Sequence, residues 1–182
     1  MSNYMIRPVR AHEWREIRAL RLEGVQGDVD RLAFAETFEQ EAAKPDEFWQ
    51  ERAAGSSLDA GADAGARQFV AIADDGTWVG SSVVLIESAG GEDYEDRTIE
   101  QSGGHIVGVY VNSEHRGTGL VEELFNACLE WARERGLGRV RLYVHQDNAR
   151  AQGAYRKCGF EPTGVLIEGD SLGCEVEMAR AV

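Results

Sequence analysis

Between His105 and His145 the hydrophobic period changes from strand to helix and back to strand, and this switch constrains the fold more than any other feature of the chain. His105–Val111 and Arg139–His145 are short runs rich in β-branched residues. Between them, Gly117–Arg135 places Leu120, Leu124 and Cys128 on one row and Val121, Phe125 and Leu129 on the next. Together the rows make an apolar stripe wide enough to bury a helix against a sheet. Arg133 and Arg135 suit the negative end of the helix dipole, and Gly136 suits a left-handed stop. Strand, helix, strand predicts a right-handed crossover joining two parallel strands.

The flanking segments add antiparallel elements. Tyr4–Arg10 reads as a first strand, with Pro8 arguing for an edge or a bulge. Ala11–Leu22 spaces Trp14, Ile17 and Leu20 as a helix ended by Gly24 and Gly27. Pro45 is placed to open a second helix carrying Phe48 and Trp49. Residues 55–65 are an Ala/Gly/Ser/Asp loop. Asp74-Asp75-Gly76 turns a hairpin between Gln68–Ala73 and Trp78–Ile86. Residues 88–104 form a glycine-rich acidic insertion, longer than most connections. Beyond the crossover come a helix over Asn148–Cys158 and strands over Glu161–Glu168 and Gly173–Arg180.

At 182 residues the length suits one domain with one core. No apolar run is long enough to span a bilayer and Met1–Arg10 lacks a signal-peptide core, which points to the cytoplasm. Cys128, Cys158 and Cys174 have no paired spacing, so neither a disulfide framework nor a zinc or other metal site is expected. Net charge is −13, disfavouring nucleic acid and anionic membranes as partners and favouring a cationic small molecule or basic peptide. Residues 1–104 carry 21 acidic and 10 basic side chains, whereas 105–182 carry 11 and 9. An anion therefore fits best in the second part.

The segment Val109-Tyr-Val-Asn-Ser-Glu-His-Arg-Gly-Thr-Gly-Leu-Val121 supplies that anion site. The first amides of a helix lack intrahelical acceptors and carry partial positive charge. Gly117 and Gly119 allow a phosphate to approach the backbone, and Arg116 adds a planar fork of donors. No lysine follows as a P-loop requires, and Glu122 stands where a dinucleotide fingerprint needs its third glycine. In a second segment, Asn148-Ala-Arg-Ala-Gln-Gly-Ala-Tyr-Arg-Lys-Cys-Gly-Phe160, Asn148 is a helix N-cap and Gly159 a stop. Ala151 and Tyr155 share one face; on spacing alone Tyr155 is a half-buried aromatic or a functional hydroxyl.

Taken together, Arg116-Gly-Thr-Gly119 after a V-x-V strand, similar to a family loop of the form R-x-x-G-x-[GA], and N-x-x-A-x-x-x-Y-x-K-x-G-F, with Tyr155 39 residues after Arg116, resemble the GCN5-related N-acetyltransferase (GNAT) family. The resemblance is densest over residues 105–163 and extends to the order of elements along the chain. It implies a mixed α/β fold in a single domain, 1–182: a central, mostly antiparallel twisted sheet with one parallel crossover pair and about four helices. It also implies acetyl-CoA as cofactor. Val109, Tyr110 and Val111 would meet its pantetheine arm, and Arg116, Gly117, Thr118, Gly119, Leu120 and Val121 its pyrophosphate. Asn148 and Tyr155 would contact the arm, with Tyr155 also the acid for the departing thiolate. The family usually has Gly or Ala where this chain has Val121.

Acetyl transfer to an amine also needs a base, and His105 and Glu87 are the candidates. No Ser-His-Asp or Cys-His signature is present, so direct transfer is expected. The favoured acceptor is a cationic small-molecule amine. A protein or peptide amine is a second reading, and a non-catalytic acyl-CoA-binding module a third. Trp49 or a terminal strand leaves room for a homodimer.

Overall fold

The computed structural model describes residues 3–27, 36–169 and 173–182. Its framework is one seven-stranded sheet. The strands are β1 (Tyr4–Pro8), β2 (Ala66–Ala73), β3 (Trp78–Glu87), β4 (Gly103–Val111), β5 (Arg139–His145), β6 (Glu161–Gly169) and β7 (Gly173–Ala181). Their spatial order is β1-β2-β3-β4-β5-β7-β6, antiparallel throughout except for the parallel pair β4–β5. The helices are α1 (Trp14–Gln26), α2 (Phe38–Ala42), α3 (Asp46–Ser56), α4 (Leu120–Glu134) and α5 (Ala149–Lys157).

The stripe read from the sequence buries α4 against one face of the sheet. Leu120, Leu124, Phe125 and Cys128 meet Phe69, Val84, Ile106, Val140 and Leu142 there. Each large apolar side chain so buried is worth about 1.5–3 kcal/mol. On the opposite face α1 and α3 close a second cluster, with Trp14, Ile17, Leu20 and Trp49 over Val9, Val70 and Tyr110. Trp49 is fully buried in it and is not available as an interface residue.

Several element boundaries differ from expectation, and those in the helices have local reasons. α1 runs through Gly24 to Gln26 because Gly24 is buried and packs like its apolar neighbours. α3 continues through the exposed Gly55 to the buried Ser56, whose hydroxyl donates to the Arg52 carbonyl at 2.8 Å, and Pro45 is its N-cap. α4 starts at Leu120, because Gly117 and Gly119 hold φ of 77° and 88°, outside the helical region. The acid-rich segment before Pro45 holds the additional helix α2, where Thr37 and Gln40 cap each other's backbone.

Two irregularities shape the middle of the sheet. Ser81 pairs with Tyr110 and Val83 with Val107, so β4 sets Gly108 and Val109 against Ser82 alone, a bulge with Gly108 at φ 60°. In addition, β4 pairs with β5 only through Gly104↔Val140 and His105↔Arg141. Beyond those pairs β4 follows β3 to Val111 while β5 follows β7 to His145, and the sheet forks.

Candidate active site

The fork opens a cleft of about 900 Å³. Along one side, residues 106–111 present a strand edge that β5 does not pair. An extended chain with amide groups can add there as another strand would. At the end of that edge, Asn112 Oδ1 accepts from the Glu114 amide at 3.0 Å and starts a short turn toward Arg116. Arg116 Nε donates to the Val111 carbonyl at 2.9 Å, which aims the guanidinium and engages that oxygen.

Gly119 caps α4 without a side chain, leaving the first amides of the helix to meet an external acceptor. A Cβ added at Gly117 or Gly119 would meet no atom within 4 Å. The glycines therefore set the backbone conformation and leave the corner open, and do not fill internal packing. Leu120 and Val121 border the cleft while also packing on the core, Leu120 almost completely buried. Thr118 Oγ1 donates to the His115 carbonyl at 2.7 Å and stiffens the turn. A diphosphate fits this corner, and an amide-containing arm fits the β4 edge.

α5 forms the facing wall. Asn148 Oδ1 accepts from the Ala151 amide at 3.1 Å, so its oxygen serves as the N-cap. Tyr155 stacks on Phe125 with ring centroids 5.1 Å apart. Among the described residues none hydrogen-bonds its hydroxyl, and burial pushes the phenol well above its usual range. Cys158 also borders the cleft, but burial pushes its thiol up to about 11, away from nucleophilic use.

Glu87 and His105 sit one layer behind the cleft. His105 is 0% and Glu87 6% exposed, and His105 Nδ1 donates to Glu87 Oε1 at 2.8 Å. Arg141 grips both Glu87 oxygens, Nε to Oε2 and Nη2 to Oε1, each at 2.8 Å, and its Nη1 reaches Glu177 Oε2 at 2.9 Å. Burial pushes the Glu87 carboxyl up, but the bonds from His105 and Arg141 outweigh it and hold the group below its usual range. These side chains anchor the acidic insertion. Asp93 accepts from Arg141 at 3.0 Å and from the Tyr143 hydroxyl at 2.9 Å, while Tyr94 lies over His105 with ring centroids 5.2 Å apart.

The anchored loop brings Tyr94 and Glu95 to the cleft, where Glu175 of β7 also arrives. Burial and then the Asp93 and Glu36 charges push the Glu95 carboxyl up; burial and then Glu95 do the same to Glu175. Among the described residues neither has an ion-pair partner. Glu175 lies directly across from His145 in the β5–β7 ladder, and His145 Nδ1 accepts from the Asp147 amide at 3.1 Å. The sequence reading did not single out Glu95 or Glu175. One signal for Glu175 was present: in E-V-E-M, Glu175 and Glu177 share the phase of the buried Arg141.

Comparison with known proteins places the chain. A sequence model described as the Acetyltransferase (GNAT) family matches residues 29–160. Aminoglycoside N(6')-acetyltransferase type 1 of Stenotrophomonas maltophilia is 31% identical over 106 residues, 58% of this chain and 67% of that protein. Streptothricin acetyltransferase of Streptomyces lavendulae is 36% identical over 106 residues, 58% of this chain but 50% of its own length. The chain thus spans about half to two-thirds of these curated relatives. The crystal structure of a phosphinothricin acetyltransferase from Sinorhizobium meliloti in complex with AcCoA superposes with a TM-score of 0.72 at 18% identity. That match covers 100% of this chain and 89% of the other, a likeness of fold.

Proposed function

This chain belongs to the acetyltransferase (GNAT) family, and from that premise we propose that it is an acetyl-CoA-dependent N-acetyltransferase acting on the primary amine of a small cationic molecule. The observation that carries the reading is the two-ended cleft. One end offers a bare strand edge, helix amides and Arg116, and the other offers the carboxylates of Glu95 and Glu175.

Bound acetyl-CoA would supply an acetyl group activated as a thioester. The backbone of Val109, Tyr110 and Val111 would bind the pantetheine arm, and an amide of that edge would donate to the thioester carbonyl oxygen. Arg116, Gly117, Thr118, Gly119, Leu120 and Val121 would hold the pyrophosphate, and Asn148, its oxygen engaged as the N-cap, would keep its amide nitrogen for the arm. Glu95 and Glu175 hold the acceptor ammonium. Glu175, with an affinity for protons raised by its surroundings, accepts one from that ammonium so that a neutral amine can attack. The Tyr155 hydroxyl would deliver a proton to the sulfur as the carbon–sulfur bond breaks, and the second proton shed by the acetylated nitrogen would restore the phenol. Glu87 and His105 act as positioning residues through Arg141 and Asp93, and Tyr94 narrows the cleft against water.

The anchored loop 88–102 supports a small acceptor over a protein lysine, since Tyr94 and Glu95 stand where an extended peptide would need room. The free thiols Cys128, Cys158 and Cys174 suit a reducing cytoplasm. Incubation with acetyl-CoA and a panel of polyamines, aminoglycosides, amino acids and basic peptides tests the reading by release of free thiol. Turnover concentrated on small cationic amines is expected. Turnover on peptides alone, or cofactor binding without turnover on any amine, would overturn it.

A further inference from the structure

Arg21 and Arg52 both border the acceptor end of the cleft, but only Arg21 is neutralised in place, by Glu36 at 2.9 Å and Glu41 at 3.2 Å. Among the described residues, no carboxylate lies within ion-pair distance of Arg52 and no acceptor is hydrogen-bonded to it. Its guanidinium lies 5.8 Å from the Trp49 ring centroid, the outer limit of a cation–π contact. Burial, and then the charge of Arg21, weaken its hold on its proton. A guanidinium nevertheless stays charged in proteins, so the site carries a cation without a direct carboxylate partner, on which Glu41 and Glu36 act only at longer range. Gln68 Oε1, buried without a partner, borders the same small cavity of about 20 Å³ as Arg52. A neutral amide there can accept a hydrogen bond but supplies no paired negative charge.

The position of Arg52 points to what completes it. Its Nη2 lies 3.9 Å from where a Cβ would stand on Gly108, the bulge residue of β4 beside the fork. Glu36 is within electrostatic reach of both Arg52 and Glu95, so the unpaired cation and the acidic pair belong to one neighbourhood. A planar fork of donors matches a carboxylate with two parallel hydrogen bonds. We infer that Arg52 binds a carboxylate carried by the acceptor, whose class is therefore an amino-acid-like amine, with its ammonium on Glu95 and Glu175 and its carboxylate on Arg52. The inference rests on the acetyl-transfer reading of this cleft. A dibasic amino acid satisfies both walls and keeps a net positive charge.

Matched acceptors differing only in the carboxylate test it: lysine against cadaverine, ornithine against putrescine, and 4-aminobutyrate against propylamine. With the full chain and acetyl-CoA, the carboxylated member of the accepted pair should have the higher kcat/KM. Arg52→Gln should raise its KM by about 10- to 100-fold, as expected for losing a charged hydrogen-bonded pair. The decarboxylated partner should be unaffected, and Arg52→Lys should keep part of the preference. CoA binding to each variant, measured by calorimetry, reports that the fold is intact. If the wild type accepts amines without preferring the carboxylated member, or if Arg52→Gln slows both members alike with CoA binding intact, Arg52 has no such role. If the variant does not fold, the wild-type preference decides. Absence of turnover on every amine overturns the transferase reading itself, a distinguishable outcome.

Discussion

Arg141 Nη2 donates to Asp93 Oδ2 at 3.0 Å, and this bond pins the acidic insertion to the central sheet. Both side chains are almost wholly buried, and Tyr143 donates to the same oxygen at 2.9 Å. Asp93→Ala leaves Arg141 with Glu87 and Glu177 but removes the loop's anchor. The loss should be about 1–3 kcal/mol, read as a lower urea midpoint. Acceptor KM should rise while CoA affinity stays unchanged. Equal loss of CoA binding would mean that the loop supports the whole fold rather than the acceptor end.

The pH response divides the carboxylates into two groups. Glu87, Asp93 and Glu177 hold pKa values below their ordinary ones. Their stabilisation is fully present above the unfolded carboxylate range and is lost as pH falls through the lowered folded values. Glu95 and Glu175 have raised values, so near neutrality their ionised forms oppose folding, and protonation relieves this first. Urea titrations should therefore show stability level or slightly rising as pH falls from 7 toward about 5, then dropping steeply below about 4. Acceptor KM should climb earlier, as Glu95 and Glu175 take up protons. A KM constant down to the onset of acid unfolding would exclude them from acceptor binding.

Tyr155 separates packing from proton transfer. Its ring stacks on Phe125, and Phe at this position keeps the stack while deleting the hydroxyl. Tyr155→Phe should leave thermal stability and CoA affinity near wild type while lowering kcat by about 100- to 10,000-fold, the range for loss of a general acid. Full activity at every pH would remove Tyr155 from the mechanism.

Much of this geometry was legible because it is local. The period switch around α4 and the Asp74-Asp75-Gly76 turn gave the crossover and the hairpin, and Gly117 and Gly119 marked the helix start within three residues. The order of elements followed from these. α2 was missed although its capping pair, Thr37 and Gln40, is written in the sequence, because the helix is only five residues long and its surroundings are acidic. The fork and the Gly108 bulge could not be read, since they depend on which strand edges remain unpaired. The parts of Glu87 and His105 were hidden for the same reason. A strand-end carboxylate and an edge histidine resemble solvated groups until Arg141, 54 residues from Glu87, closes over them.

Arg116 should act on the cofactor alone. Arg116→Ala removes a charge at the α4 N-terminus and the bond to the Val111 carbonyl. CoA Kd should rise about 10- to 100-fold, measured by calorimetry, with acceptor KM at saturating acetyl-CoA little changed. Gly119→Val, which forces a β-branched side chain to φ 88° at the same corner, should weaken CoA binding without touching the acceptor end. If either variant shifted acceptor KM more than CoA Kd, the assignment of the two ends would be reversed.

The final expectation concerns salt. The chain carries −13 overall, with the excess in residues 1–104, which supply Glu36 and Glu95 to the acceptor end. A net-positive acceptor is drawn by that field, and the attraction is screened over about 8–10 Å at physiological ionic strength. Raising salt from about 0.02 to 0.5 M should increase acceptor KM several-fold, since the Debye length shrinks from about 20 to about 4 Å across that range. Glu95→Gln and Glu175→Gln should each raise KM at low salt and flatten its dependence, because the first removes loop charge and the second removes strand charge at one ammonium site. The double variant should cost less than the sum of the two, as expected for carboxylates sharing a ligand. An acceptor KM indifferent to salt in the wild type would separate the acidic character of the chain from its substrate.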